Sequence, residues 1–245
     1  MKFFLIIFFL IFSHLVFAQD KITLTTDPYP PYIEKDEKTG IASGIAIEKL
    51  NKIFARIPEV ELEYYILPSS AWPWKRQMRE VEFGRKDGIV MLSHKKEREE
   101  YMVFSDTYIS GNLNLYYKRE KYPNGLEWET LKDLSPYSIG VIAGYYYGSQ
   151  WTEAEKEGYL KVEKLPTIDS LIKFLMADRA DMIMLNGEVA NFKLKDLGLS
   201  KAVLPLPKPV KTYIWHMSLS KRSNAVKHMS SINRAIRELK LSGEL

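Results

Sequence analysis

The stretch Arg85-Lys-Asp-Gly-Ile-Val-Met-Leu-Ser93 recurs in outline later in the chain as Arg179-Ala-Asp-Met-Ile-Met-Leu-Asn186. Each copy follows a segment with helical spacing, carries an aspartate, continues as a short apolar run and ends in a small polar residue. A short apolar run bounded in this way is typical of a buried strand. The repeat therefore predicts two lobes of similar βαβ construction, with chance similarity between two short strands as the alternative.

Around these two strands, strand patterns and helix patterns alternate along most of the chain. Predicted strands cover residues 22–26, 60–66, 88–92, 137–142, 159–165, 182–185 and 213–219, and predicted helices cover 46–57, 75–84, 145–157, 168–176 and 224–240. Such alternation indicates an α/β fold with mostly parallel sheets. Ligands of open α/β sheets bind beyond the carboxyl ends of the strands. Ser93 and Asn186 occupy two such ends, one in each lobe, so we expect a ligand cleft between the lobes.

Length and composition fit an ordinary globular protein of two small domains. The chain has 245 residues, of which 46% are hydrophobic and 27% are charged. The formal net charge of +4 is too small and too evenly spread to indicate a nucleic-acid partner. There are no cysteines, which excludes disulfides, thiolate metal sites and a cysteine nucleophile.

The first eighteen residues predict a cleaved secretory signal peptide. Lys2 is their only charge, positions 3–12 form an unbroken apolar run, and Val16-Phe-Ala18 places small residues where a signal peptidase requires them. The alternative is an uncleaved anchor, but the segment is shorter than the roughly 20 residues that a spanning helix needs. Without a cysteine to carry a lipid, the mature protein is expected to be free in a periplasm and not a lipoprotein.

The segment Met91-Leu-Ser-His-Lys-Lys-Glu-Arg-Glu-Glu-Tyr-Met-Val-Phe-Ser-Asp-Thr-Tyr108 resembles the signature of the family 3 extracellular solute-binding proteins, the amino-acid-type receptors of ABC importers. Lys96 and Thr107 depart from the usual pattern. The resemblance implies a two-lobed type II periplasmic-binding-protein fold, often called a Venus flytrap. Lobe one would comprise residues 20–111 and 209–245, and lobe two residues 112–208. Hinge strands would cross near 112–117 and 209–214.

The same resemblance implies a carboxylate site at Arg98 and Ser93. A guanidinium offers a planar fork that matches a carboxylate in two charge-assisted bonds. Ser93 would add its hydroxyl and its backbone N–H. Without the resemblance, the run from Lys95 to Glu100 would be interpreted as a charged surface segment.

Aromatic residues from two segments would enclose the ligand in such receptors. Here they are Tyr29, in the rigid loop Asp27-Pro-Tyr-Pro-Pro-Tyr32, and one of Trp72 and Trp74. Core packing is the alternative for each of them. Gly144 and Tyr145 begin a turn between a strand and a helix, whose free N–H groups could receive an anionic group, and an ordinary turn is the alternative.

Asn186 departs from the aspartate that amino-acid receptors typically have at this position. A neutral amide does not neutralise a buried ammonium, which is costly to leave unpaired. Either Glu188 or another acid compensates, or the ligand is not an ordinary α-amino acid.

We therefore expect a monomeric, periplasmic binding protein that captures a small carboxylate-bearing ligand, such as an amino acid, and delivers it to an ABC-type permease. No cofactor, metal, catalytic residue or nucleic-acid partner is expected. One alternative is a dehydratase-like enzyme of the same fold, for which Glu188 with Lys193 or His94 would be the acid–base candidates. Another is a sensory module that signals to a membrane kinase or cyclase.

Overall fold

The computed structural model describes residues 19–67 and 74–245. The predicted signal peptide lies outside the described residues. Within them the strands are β1 (Asp20–Thr26), β2 (Glu34–Lys35), β3 (Ala42–Ser43), β4 (Val60–Ile66), β5 (Gly88–Leu92), β6 (Met102–Phe104), β7 (Ile109–Lys118), β8 (Ser138–Ile142), β9 (Lys161–Leu165), β10 (Met182–Asn186), β11 (Val203–Pro205) and β12 (Lys211–Ser220).

The α-helices alternate with these strands. They are α1 (Ile45–Phe54), α2 (Trp74–Glu82), α3 (Ser149–Lys156), α4 (Ile168–Met176), α5 (Gly187–Asp196) and α6 (Met229–Leu241), with 3-10 helices at Lys96–Glu100, Leu131–Leu134 and Asn224–His228. In the described part of the chain, no helix combines the length and the apolar character needed to cross a membrane.

The sheet has the same strand order on both sides of its centre. Its path is β4-β1-β5-β12-β7-β10-β8-β9. Strands β4, β1 and β5 are mutually parallel, as are β9, β8 and β10. Each trio is flanked by one antiparallel strand, β12 beside β5 and β7 beside β10. We use lobe one for the part built on β4, β1 and β5, and lobe two for the part built on β10, β8 and β9.

Strands β7 and β12 join the two lobes. They pair antiparallel with each other from Ile109 opposite Trp215 to Leu113 opposite Lys211. Beyond that shared segment β7 continues along β10, and β12 continues along β5 after an irregularity near His216. Strand β7 contains the predicted crossing at 112–117, and β12 contains positions 211–214 of the other; their role as a hinge remains a prediction.

The paired aspartates of the repeat have matching structural positions. Asp87 precedes β5, and its Oδ2 accepts a bond of 2.7 Å from the backbone N–H of Thr23 in β1. Asp181 precedes β10, and its Oδ2 accepts a bond of 2.8 Å from the backbone N–H of Ser138 in β8. Each carboxylate therefore ties the start of one strand to its parallel neighbour.

Amphipathic helices cover the sheet in both lobes. The buried side of α1 consists of Ala46, Ile47, Leu50, Ile53 and Phe54, which follow helical spacing. In lobe two, Thr167 caps α4 by accepting a bond from the backbone N–H of Ser170.

Three of the α-helices differ from the sequence-based expectations in more than the position of their ends. Helix α5 was not predicted, because it begins with glycine and its apolar stripe is reduced to Val189, Ala190 and Leu194. The helix expected directly after Gly144 begins only at Ser149. The helix expected over 224–240 is divided into a 3-10 helix and α6.

Candidate functional site

Ser93 and Arg98 lie together beyond the carboxyl end of β5. The 3-10 helix Lys96–Glu100 turns the chain back, so that Nη1 of Arg98 donates a bond of 2.6 Å to the Ser93 carbonyl oxygen. The Arg98 side chain is partly buried, and burial lowers the pKa of its guanidinium from the ordinary value. Within residues 19–67 and 74–245, no carboxylate forms an ion pair with Arg98. A partly desolvated cation with unused donors is therefore available to an anion.

Asn186 ends β10 and begins α5 in lobe two. Its Oδ1 accepts bonds from the backbone N–H groups of Glu188 at 2.9 Å and Val189 at 3.2 Å, which makes it the N-cap of α5. The same oxygen accepts a bond of 3.1 Å from the hydroxyl of Tyr32, which belongs to lobe one. Asn186 is only 2% exposed. The predicted site residue is thus buried where the two lobes meet.

Aromatic rings also meet across the cleft. Tyr29 stacks on Tyr32 with ring centroids 5.9 Å apart and lies edge-on to Tyr145 at 6.4 Å. Tyr145 follows Gly144 in lobe two, so this second contact joins the lobes. Burial is the main cause that raises the pKa of Tyr29 well above its ordinary value, and the phenol is neutral at physiological pH.

Two lysines flank the aromatic contacts. Nζ of Lys95 in lobe one lies 4.2 Å from the ring centroid of Tyr146 in lobe two, and Nζ of Lys211 lies 5.3 Å from the same centroid. Both distances are within the range of cation–π attraction. Arg98 lies three positions after Lys95 and acts on it electrostatically, so a third cationic group is close to these contacts.

Several residues at the centre were missed by the sequence reasoning. Tyr32 lies edge-on to Trp215 at 5.1 Å, and Trp215 stacks on Tyr213 at 4.5 Å. Tyr213 and Trp215 are two positions apart on β12, which puts both on one face of the strand. The alternation along the strand could have shown that Tyr213 and Trp215 share a face. Nothing in the sequence indicated that this face lines the cleft.

Gly111 of β7 lies beside Asn186, Tyr32 and Tyr213. A Cβ added there would lie 3.0 Å from Nδ2 of Asn186 and 3.2 Å from the hydroxyl oxygen of Tyr32. The absence of a side chain at this position therefore leaves room for the contact between the lobes.

The remaining predicted residues are placed differently. Gly144 adopts a left-handed conformation with φ of 81°, and a Cβ added there would have no neighbour within 4 Å. It lies ahead of α3, whose N-cap is Gly148, so its N–H is not part of the helix start. Trp74 is partly buried against the apolar cluster around Val81 and Met102. Trp72 lies outside the described residues.

Much of the signature after Arg98 holds the lobe together. The backbone N–H of Ser105 bonds to the Met217 carbonyl at 2.9 Å, and the Ser105 hydroxyl accepts from the Met217 N–H at 3.1 Å. The hydroxyl of Tyr108 donates to the carbonyl of Val90 in β5 at 2.6 Å. These bonds fix the segment after the 3-10 helix against β5 and β12 and so position Arg98.

The described residues contain no group of three or more histidine, cysteine, aspartate or glutamate side chains arranged to hold a metal ion. The donors at the cleft are instead a guanidinium, ammonium groups, phenols and an amide. This set suits a small organic anion.

Comparison with known proteins identifies the family. The model of the bacterial extracellular solute-binding proteins of family 3 matches residues 22–245. No curated protein sequence matches the chain.

Solved structures share the fold over most of the chain. An ancestral arginine-binding protein bound to arginine has a TM-score of 0.67 at 20% identity, covering 93% of this chain and 95% of that one. A histidine kinase sensor domain with similarity to periplasmic binding proteins has a TM-score of 0.71 at 15% identity and 93% coverage of both chains. The substrate-binding protein of an amino acid ABC transporter has a TM-score of 0.63 at 22% identity, covering 91% and 95%. The predicted type II binding-protein fold is confirmed.

Proposed function

The chain belongs to the bacterial extracellular solute-binding proteins of family 3, and we propose that it captures a small carboxylate-bearing molecule, an amino acid or a related compound, between its two lobes. The closed form would then be presented to an ABC-type importer in the periplasm. The observation that carries this proposal is Arg98, a partly buried guanidinium beside a strand end with no carboxylate partner in the described chain. The carboxylate of a ligand would supply the anionic partner of this guanidinium.

Closure would occur by rotation of the lobes about β7 and β12. The two strands pair with each other only over a short central segment, so the twist between the lobes can change while each lobe keeps its own strand pairs. A ligand favours the closed form because only there does it touch both lobes.

The test is a thermal-shift titration of the mature protein with small carboxylates and amino acids, made in parallel on Arg98→Ala. A ligand at about 100 times its Kd adds about 2.7 kcal/mol to the free energy of unfolding, which raises Tm measurably. The matched control is Arg56→Ala, because Arg56 pairs with Glu244 on the surface of lobe one. We expect the control to respond like the wild type and Arg98→Ala to lose the response. If no carboxylate raises Tm, or Arg98→Ala responds equally, the proposal is wrong.

A second candidate is a sensory module for a membrane signalling protein. Its support is the structural likeness to the histidine kinase sensor domain. Deletion of the gene separates the two roles: loss of uptake of the labelled ligand indicates an importer partner. Unchanged uptake with loss of the transcriptional response to that ligand indicates a sensor partner.

A further inference from the structure

The loop 143–148, between β8 and α3, exposes two of its three consecutive tyrosines. Tyr147 is buried, and its hydroxyl accepts a bond of 2.7 Å from the Ile142 N–H and donates one of 3.2 Å to the Ile142 carbonyl. Tyr145 and Tyr146 are exposed instead, Tyr146 to 44%. A ring with this exposure does not fill the core of its lobe, so core packing does not account for its position.

Two ammonium groups lie over the ring of Tyr146. Nζ of Lys95 is 4.2 Å from the ring centroid, and Nζ of Lys211 is 5.3 Å from it. Lys211 also lies beside the backbone of the same loop, since a Cβ added at Gly148 would stand 3.3 Å from its Nζ. Lys95 belongs to lobe one, so of these two contacts the one with Lys95 crosses the cleft.

The Lys95 ammonium has lost part of its hydration. It makes no ion pair with a carboxylate within residues 19–67 and 74–245. Burial, followed by the charge of Arg98, lowers its pKa from the ordinary value. A desolvated cation gains more from an aromatic face than a solvated one does. The Tyr146 ring therefore offsets part of the hydration that Lys95 has lost.

We propose that Tyr146 is a positioning residue for ligand capture, and that its contact with Lys95 latches lobe two onto the segment that carries the carboxylate site. Lys95 is the N-cap of the 3-10 helix Lys96–Glu100, and Arg98 lies within that helix. The contact therefore draws lobe two over Arg98 when the cleft closes. The inference rests on the proposed function for the motion of the lobes and for the role of Arg98. With this latch, part of the free energy of closure comes from the protein, and a ligand supplies the remainder.

The test measures the distance between the lobes in the mature protein without ligand. Because the chain has no cysteine, Glu61→Cys and Glu163→Cys introduce two specific sites for spin labels. Both positions are exposed and lie on β4 and β9, the outermost strands of the sheet path. Pulsed electron paramagnetic resonance then gives the populations of closed and open molecules from their different distances.

Tyr146→Phe keeps the aromatic face, so its ratio of closed to open molecules should match that of the wild type. Tyr146→Leu removes the face and keeps an apolar side chain, whereas Lys95→Met removes the charge and keeps the length of the side chain. Each should lower the ratio about two- to fivefold, the change expected for one cation–π contact. The double variant should be no more open than either single variant. Lys86→Met is the matched control and should leave the ratio unchanged, because Lys86 lies 3.8 Å over the Tyr65 ring within lobe one.

Equal ratios for Tyr146→Leu and Tyr146→Phe would overturn the inference, because the aromatic face would then contribute nothing to closure. A higher closed fraction in Lys95→Met would also overturn it, by showing that repulsion from Arg98 and Lys211 exceeds the attraction to the ring. One unchanged distance in all variants would overturn both the latch and the rotation of the lobes. The carboxylate site is tested separately, since the thermal-shift comparison with Arg98→Ala uses none of these variants.

Discussion

The hydroxyl of Tyr32 donates a hydrogen bond of 3.1 Å to Oδ1 of Asn186, and this bond directly joins the two lobes. The two residues are 154 positions apart in sequence. Both are buried, and the oxygen that accepts the bond is also the cap of α5. Closure of the cleft and the start of a helix in lobe two are therefore connected through one atom.

Tyr32→Phe should shift the unliganded protein toward an open form. The substitution removes the bond between the lobes, and a typical hydrogen bond contributes about 1 kcal/mol, which is about a fivefold change in the ratio of closed to open molecules. Small-angle X-ray scattering without ligand should give a larger radius of gyration. Tyr64→Phe is the matched control, because the Tyr64 hydroxyl bonds to Asn51 within lobe one at 2.8 Å. An unchanged radius for Tyr32→Phe would show that the bond does not hold the lobes together.

Loss of the cap at Asn186 should affect stability and ligand response together. Asn186→Ala removes the acceptor of the first N–H groups of α5 and should lower the free energy of unfolding by about 1 kcal/mol. Thr167→Ala removes the corresponding cap of α4 and should have a similar effect on stability. We expect only Asn186→Ala to change the shift in Tm produced by a ligand. An equal ligand response in the two variants would separate Asn186 from the binding site.

Gly111→Ala should weaken the contact at the centre of the cleft. The new Cβ would lie 3.0 Å from Nδ2 of Asn186, closer than ordinary van der Waals contact, and the capping bonds of Asn186 prevent that side chain from moving freely. We expect at least about tenfold weaker ligand binding by calorimetry, equivalent to about 1.4 kcal/mol. Gly187→Ala is the control, since its Cβ would meet neighbours only at 3.8 Å or beyond. Unaltered affinity in Gly111→Ala would show that the added methyl group does not disturb the binding site.

Asp181 should make lobe two sensitive to acid. Burial tends to raise its pKa, but hydrogen bonds from Lys121, Tyr122 and Ser138 hold it below the ordinary value of 3.8. Because the folded pKa is lower than the unfolded one, the stabilisation is complete above about pH 5 and is lost as the pH falls through 3.8 toward the folded pKa.

Asp181→Asn should therefore lower stability by about 2 kcal/mol at pH 7 and flatten the loss of stability in acid, as measured by urea unfolding between pH 7 and pH 3. Asp169→Asn is the comparison, because Asp169 forms an exposed ion pair that contributes about 0–1 kcal/mol. Parallel pH profiles for the wild type and Asp181→Asn would assign the acid sensitivity to other carboxyl groups.

The parts of the fold that could be predicted are those specified by local pattern. The strands that became β5 and β10 are apolar runs with the same flanking aspartate, and the cap of α4 is visible as Thr167 before an apolar stripe. Helix α5 lacked such a pattern, since Gly187 opens it and much of its surface is polar. Strand β7 was expected only as a crossing segment, although Leu113 and Leu115 alternate with Asn112 and Asn114, because asparagine is depleted in strands.

The candidate site likewise contains residues that could be predicted from the sequence and residues that could not. Arg98 and Ser93 are five residues apart, and it was the resemblance to the family 3 receptors that predicted them as one site. The meeting of Tyr32 with Asn186 depends on how two lobes face each other, which no local pattern specifies. The tyrosine loop itself was recognised, but the hydrogen bond from its second tyrosine, Tyr32, to lobe two was not.

From the antiparallel pairing of β12 with β5 we also expect an order of assembly, in which lobe one is completed after lobe two. Lobe two is built from consecutive strands, whereas lobe one needs the strand at Lys211–Ser220 to complete its sheet. Contacts between distant parts of a chain form slowly, because a long loop must first close. Until they form, β5 is an open sheet edge with unpaired backbone groups, the kind of surface through which chains aggregate. We therefore expect β12 to protect lobe one from self-association by covering this edge.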